Sequence, residues 1–199
     1  MSAAAGRNVD ALDEAAVDAH AAAVVERAGS LDISLNVITH GDVQGIPLAD
    51  MELTDFERPV VTAVRTMFIT TRAAARHMIR RRSGVILVFG GYGDPLRDHH
   101  LGGLQVAFGA QEYLRRNLAA ELGRYGIRVL TLQTGGIPES IPETFAGRDA
   151  IERSIEEPTL LGRAAALEDV GNVAAFAASD WARTMTASAL NITCGTEIG

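Results

Sequence analysis

The stretch GGLQVAFGAQEYLRRNLAAELGRYGIRVLTL, residues 102–132, decides the fold. Its first part, which runs to Leu122, has the length and the apolar content of a long buried helix. Gly123 and Gly126 then interrupt the pattern, and residues 127–132 are predicted to form a strand. A long helix that leads through a short glycine turn into such a strand is typical of a parallel α/β sheet.

The same alternation of helix and strand extends through the rest of the chain. Apolar spacing predicts further helices at residues 13–27, 54–82, 149–156 and 168–179, and further strands at 31–38, 85–89 and 187–193. Thr54 and Glu57 have the spacing of a capping box at the start of the second helix, and residues 9–11 could end a short strand. The pattern predicts parallel strands joined by right-handed crossovers, with helices on both faces of the sheet. We expect residues 1–199 to form a single domain.

Composition excludes several classes of function. The formal charge of -7 argues against binding to a nucleic-acid backbone, which requires clustered positive charge. No run of about 20 apolar residues occurs, so no membrane span is expected. Cys194 is the single cysteine, which precludes an internal disulfide and favours a reduced, cytoplasmic protein. No spacing of His, Cys, Asp and Glu indicates a metal site.

Seven short stretches, in order along the chain, resemble the short-chain dehydrogenase/reductase family. They are residues 31–36 (LDISLN), 71–74 (TRAA), 118–122 (LAAEL), 126–129 (GIRV), 161–163 (LGR), 168–170 (EDV) and 178–180 (ASD). The resemblance implies an α/β fold with a Rossmann-like, doubly wound parallel sheet in three layers. The family's first βαβ unit has no counterpart in this sequence, so we expect a divergent member that is incomplete at its N-terminus.

The resemblance also implies an oxidoreductase that uses NAD or NADP. In the family a Tyr donates a proton to the substrate, a Lys four residues later lowers the pKa of that Tyr, and a Ser and an Asn complete the site. The Tyr and Lys positions match Leu104 and Phe108, and the Asn position matches Ala63. The Ser position falls on Gly90 or Gly91. None of these side chains can transfer a proton, so whether the protein is an enzyme stays open.

Three other residues are candidates to replace the missing catalytic groups. Tyr92 follows the lost Ser position at a strand end, where ligand sites of parallel sheets collect. His99 and His100 lie in the loop before the long helix, and histidine titrates near neutral pH. The competing interpretation for all three is a surface or packing role.

Tyr113 lies roughly 180° around the helix from Leu104, and we expect it to face away from the site.

The cofactor side of the resemblance is incomplete as well. The family's glycine-rich turn, which holds the pyrophosphate against a helix N-terminus, is absent. Four residues of this sequence still match positions at which the family contacts its cofactor. Asp10 matches the acid that faces adenine, and Asn36 matches the first Asn of the turn after the family's fourth strand. Gly135 and Ile137 match the loop that covers nicotinamide. Each could equally be a turn or core residue.

Two hypotheses about function follow from the resemblance. The first is a divergent NAD(P)-dependent oxidoreductase, and the second is a non-catalytic pseudoenzyme or oligomeric scaffold of the same fold that could bind a small molecule. The family's two long helices, here 54–82 and 103–123, contact a second subunit, and Ala107, Gly109 and Ala110 would permit close approach. A homodimer or homotetramer is therefore expected.

The strand at residues 31–38 is apolar enough to be buried on both faces, but it is expected to be an open edge of the sheet, since the family's neighbouring strand is missing. Rearranged N-terminal residues or a partner chain would cover it, or the sequence is part of a longer gene product.

Overall fold

Four parallel strands form the sheet, in the spatial order β1-β2-β3-β4. The structure is a computed structural model that describes residues 8–91, 99–145 and 147–198. The strands are β1 (Ile33–Asn36), β2 (Gly84–Gly91), β3 (Ile127–Thr134) and β4 (Ser188–Ile192). Residues 84–91 of β2 pair in unbroken register with residues 127–134 of β3, and together they form the centre of the sheet.

Helices cover both faces of the sheet, which confirms the predicted doubly wound α/β fold. They are α1 (Glu14–Ala28), α2 (Leu53–Arg81), α3 (Gly103–Leu122), α4 (Arg148–Glu156) and α5 (Leu167–Ala178). On one face, α2 and α3 pack against alternate residues of β2 and β3, including Ile86 and Val129. On the other face, α5 packs against the intervening residues, including Leu87 and Leu130. Side chains that alternate along a strand thus supply two separate cores.

The helix predicted at residues 13–27 is α1, with Asp13 as its N-cap residue and Gly29 as its C-cap residue. The Asp13 side chain accepts a hydrogen bond of 3.0 Å from the Ala16 N–H, and Gly29 has a left-handed φ of 81°. The short strand predicted at residues 9–11 is wrong. Asp10 instead forms a turn, in which its carboxylate accepts the Leu12 N–H and its carbonyl accepts the Asp13 N–H.

The capping box predicted at Thr54 is also wrong. Helix α2 begins at Leu53, and its N-cap residue is Glu52, which makes no side-chain capping hydrogen bond. The Glu52 carbonyl already accepts the N–H groups of Asp55 and Phe56, so the first turn closes before Thr54 can cap it. Pro59 lies inside this helix, buried within its second turn.

Strand β1 is the edge strand, as expected, but it is shorter and less buried than its sequence indicates. Ile33, Leu35 and Val37 are 52%, 49% and 62% exposed, so the prediction of burial on both faces is wrong. The reason is that α5 covers the sheet over β2, β3 and β4, and no described element covers this face of β1. No helix among the described residues is long and apolar enough to cross a bilayer.

Candidate functional site

A cavity of about 400 Å³ lies at the carboxyl ends of β2 and β3. Gly91 ends β2, Thr134 ends β3, and Leu104 and Phe108 enter from the first turns of α3. Helix α4 and the loops around it close the cavity with Ile151, Ser154, Ile155 and Pro158. Ligands of open parallel sheets bind at this end of the strands, so the cavity is the candidate site.

Leu104 and Phe108 present an apolar wall to the cavity. The two residues lie one helical turn apart and therefore share one face of α3. The Phe108 ring also lies against the backbone of β2, because a Cβ atom on Gly91 would come within 2.3 Å of Phe108 Cε2. At the preceding residue, a Cβ on Gly90 would be 2.9 Å from Thr131 Cγ2. A serine at position 91 would therefore collide with the ring unless the ring moved.

Among the described residues, the polar groups around the cavity are not the Ser, Tyr, Lys and Asn that the family resemblance implies. The printed sequence contains no lysine, so no residue of it can supply the ammonium group that lowers the pKa of a catalytic Tyr. Polar side chains do line the cavity, and they are neutral amides, hydroxyls and one imidazole: Gln44, His99, Thr134, Ser140, Ser154 and Thr196.

The two histidines proposed from the sequence occupy different positions. His99 lines the cavity and is exposed to solvent, so its imidazole can meet a bound ligand. His100 is exposed with φ of 44°, and its carbonyl accepts a 3.0 Å hydrogen bond from the Gly45 N–H. That bond ties the loop before α3 to the loop after β1. Tyr92, the third candidate, lies outside the described residues.

The four proposed cofactor contacts also separate into two groups. Gly135 and Ile137 line the cavity beside the end of β3. Asp10 is exposed in the turn before α1, and Asn36 is buried next to the Thr70 hydroxyl of α2; neither residue lines the cavity. Two of the four proposed contacts thus share the cavity, and two lie away from it. No glycine-rich strand–turn–helix among the described residues offers a cradle for the pyrophosphate of a dinucleotide.

His40 is a site residue that the sequence analysis missed. It is 8% exposed, and its ring meets Phe108 edge-on, with 6.2 Å between ring centroids and 65° between planes. Burial lowers the pKa of His40 from its ordinary value, and the negative charge of Asp42 only partly opposes this shift. His40 is therefore a neutral packing partner behind the aromatic wall. Its place in the loop just after β1 was the available signal.

Comparison with known proteins places the chain among dehydrogenases and reductases. The family model described as "Enoyl-(Acyl carrier protein) reductase" matches residues 1–197. Secoisolariciresinol dehydrogenase from Forsythia intermedia is 33% identical over 175 residues, which cover 84% of this chain and 62% of that protein. The chain therefore spans less than two thirds of that relative.

Two further relatives are similar over nearly the whole chain. Enoyl-[acyl-carrier-protein] reductase [NADH] from Synechocystis is 30% identical over 191 residues, covering 95% of this chain and 73% of its own. The crystal structure of sorbitol-6-phosphate 2-dehydrogenase from Erwinia amylovora superposes with a TM-score of 0.84 at 28% identity, covering 98% of this chain and 79% of that one. With the parallel sheet and the cavity at its carboxyl edge, these matches show that the chain belongs to the short-chain dehydrogenase/reductase family.

Proposed function

We propose that this protein is a ligand-binding member of its family in which the Tyr–Lys proton transfer has been lost. The observation that carries the proposal is the wall formed by Leu104 and Phe108, which faces the cavity at the two positions that match the proton donor and its Lys. An apolar wall in a pocket of about 400 Å³ favours a small, largely apolar ligand. His99, Ser140 and Ser154 would orient such a ligand through hydrogen bonds.

Binding of the apolar dye anilinonaphthalene sulfonate tests this proposal. The dye should fluoresce strongly with the wild-type protein, and Leu104→Trp should remove most of that enhancement because the indole fills the cavity. Leu167→Trp is the matched control, since it is the same substitution at a residue that is 56% exposed at the start of α5 and does not line the cavity. Equal fluorescence with both variants would mean that the dye binds elsewhere and that the cavity does not take apolar ligands.

A second candidate function is NAD(P)-dependent oxidoreduction, with His99 in place of the missing proton donor. The position of His99 at the cavity supports it, as does the NADH in the name of the Synechocystis relative. Gly135 and Ile137 would then contact the nicotinamide end of the cofactor. The contacts assigned to Asp10 and Asn36 stay predictions.

Titration with NADH and NADPH separates the two candidates. Fluorescence of the reduced nicotinamide should change on binding if the second candidate is correct, and it should stay unchanged if the cavity serves only other ligands. If oxidation of NADH occurs with a carbonyl substrate, His99→Ala should abolish it. His100→Ala is the control, because His100 contributes its carbonyl and not its imidazole to the loop.

We also propose that two copies associate through the outer faces of α2 and α3. Val61 and Phe68 on α2, and Val106 and Tyr113 on α3, are 47–70% exposed. Gly109 lies on the same outer face of α3, where an added Cβ would meet nothing within 4 Å. Ala107 does not contribute, because it is fully buried inside the subunit.

Light scattering at micromolar concentration tests the association. A dimer that Phe68→Asp converts to a monomer would support this interface, and a monomeric wild-type protein would refute it.

A further inference from the structure

The hydroxyl groups of Ser140 and Ser154, which line the cavity, already donate their hydrogens within the protein. Ser140 Oγ lies 2.7 Å from the carbonyl oxygen of Ile137, and Ser154 Oγ lies 2.7 Å from the carbonyl oxygen of Ile151. A carbonyl oxygen can only accept, so in each pair the hydroxyl is the donor. Each hydroxyl oxygen keeps lone pairs, and these can accept a hydrogen bond from a ligand.

Two further polar side chains of the cavity are committed in the same direction. Thr196 Oγ1 donates to the Thr193 carbonyl at 3.1 Å, and Gln44 Nε2 donates to Asp42 Oδ2 at 2.6 Å. The Thr196 hydroxyl therefore offers only its lone pairs, and the Gln44 amide keeps its carbonyl oxygen and one N–H. The polar side chains that line the cavity thus include more free acceptors than free donors.

The other polar groups at the cavity do not reverse this excess of acceptors. At the start of α3, the Leu104 N–H is already donated, to the Leu101 carbonyl at 3.1 Å. The Thr134 hydroxyl and the His99 imidazole can each serve as donor or as acceptor. A ligand that donates hydrogen bonds can therefore use all six of the polar side chains, whereas a ligand that only accepts finds few donors.

The charges around the cavity favour a neutral ligand. Among the described lining residues there is no arginine, aspartate or glutamate, so an ionised ligand would find no side chain of opposite charge there. The segment that closes the cavity, residues 139–157, carries six carboxylates and two arginines, a net charge of -4. That charge further disfavours an anion such as a carboxylate ligand.

We infer that the ligand of this cavity is a neutral, apolar molecule whose polar group is a hydrogen-bond donor, such as an N–H heterocycle or a phenol. This inference rests on the first proposed function and specifies its ligand. The oxygens of Ser140 and Ser154 accept from the donor, while Leu104 and Phe108 contact the apolar body. A carbonyl group would face the lone pairs of the same oxygens, and it would give up its hydrogen bonds to water without replacement.

Two isomers, 3-methylindole and 1-methylindole, are the probes. They have the same composition and nearly the same size, and only 3-methylindole has an N–H group. Both should displace anilinonaphthalene sulfonate from the wild-type protein, and 3-methylindole should bind about three- to tenfold more tightly, the effect of one hydrogen bond. The ketone 1-indanone, which is of similar size, should bind no more tightly than 1-methylindole.

Alanine variants test whether the two serines are the acceptors. In the double variant Ser140→Ala/Ser154→Ala, the ratio of the two methylindole affinities should fall toward one, while the affinity for 1-methylindole changes little. Ser179→Ala is the matched control. The Ser179 hydroxyl makes the same kind of bond, 2.7 Å to the Phe176 carbonyl, but it does not line the cavity, so the ratio should keep its wild-type value.

The outcomes separate this inference from the proposed function. Equal affinity for the two methylindoles, or tighter binding of 1-indanone, would overturn the inference and leave the apolar site standing. If none of the three compounds displaces the dye, the inference is also overturned, and the response of the dye to Leu104→Trp decides the proposed function by itself. A preference for 3-methylindole that survives in the double variant would refute the role of the two serines.

Discussion

Arg115 and Glu112, one turn apart on α3, form an ion pair that faces the sheet. Arg115 Nη2 lies 2.7 Å from Glu112 Oε2, and the two side chains are 3% and 27% exposed. The Thr131 hydroxyl, on β3, donates a second hydrogen bond to the same carboxylate. The pair therefore connects the helix that carries the cavity wall to the central strand.

Replacement of Arg115 by Met should destabilise the protein by about 3 kcal/mol, because it leaves the carboxylate of Glu112 partly buried without its cation. Urea denaturation would measure the loss. Arg116→Met is the control: Arg116 is exposed and stacks on Tyr113, and surface changes of this kind usually stay within about 0.5 kcal/mol. If Arg115→Met and Arg116→Met lose the same free energy of unfolding, burial of the Arg115–Glu112 ion pair does not explain the loss.

Glu112 should make stability fall at acid pH. Burial acts to raise the pKa of Glu112, but hydrogen bonds from Arg115 and Thr131 and the charges of Arg115 and Arg116 outweigh it, so the pKa lies below its ordinary value. The resulting stability is fully present above the unfolded pKa of about 4.3 and is lost as pH falls through the lower folded value. The difference in unfolding free energy between the wild type and Glu112→Gln should therefore shrink below about pH 4. A constant difference would contradict the prediction.

His40 should destabilise the protein under mildly acidic conditions. Burial lowers the pKa of this imidazole, and the nearby carboxylate of Asp42 does not restore it. The unfolded chain then binds a proton more readily than the folded one, so stability is full above about pH 6.5 and falls as pH drops through the folded pKa. His40→Gln should lose less stability than the wild type over that interval. The NMR titration of the His40 ring protons gives a direct check, and a midpoint at or above 6.5 would refute the prediction.

Gly91→Ser should destabilise the protein by about 1–3 kcal/mol, as overpacking does, because the new Cβ would meet the Phe108 ring. Phe108→Ala removes the obstruction, so the two changes together should cost less than the sum of their separate costs, by about 1 kcal/mol or more. Chemical denaturation of the two single variants and the double variant provides the measurement. Gly109→Ser serves as the control, since nothing lies within 4 Å of its added Cβ. If the losses of unfolding free energy from Gly91→Ser and Phe108→Ala simply add in the double variant, the contact between the two residues is refuted.

Much of the fold follows from local patterns in the sequence. Helical spacing predicts α1 at residues 13–27, and the apolar run at residues 85–89 predicts a strand, because such signals act within a few residues. Local patterns did not predict burial correctly where it depends on packing against distant parts of the chain. The strand at residues 31–38 is as apolar as a central strand, but its burial depends on which elements cover it, and no element within residues 8–91, 99–145 and 147–198 covers the face that carries Ile33 and Leu35.

The sequence predicted some of the residues that lie at the candidate site, but it did not predict which of their side chains contact each other. Counting along α3 assigns Leu104 and Phe108 to the apolar wall, and the structure places both at the cavity. The contact of Phe108 with Gly91 and with His40 joins three elements, and no spacing along the chain encodes it. Asn36 is the opposite case. Its position matches a cofactor contact of the family, but its side chain lines the groove between β1 and α1.

Under the proposed function, the contact between Phe108 and Gly91 also limits how the family's proton-transfer groups could be introduced into this chain. A serine placed first at position 91 would meet the aromatic ring and would destabilise the protein. A smaller or more flexible residue at position 108 would have to come first, and it would open a void before any benefit to activity arose. Introducing the groups one substitution at a time would therefore pass through less stable intermediates.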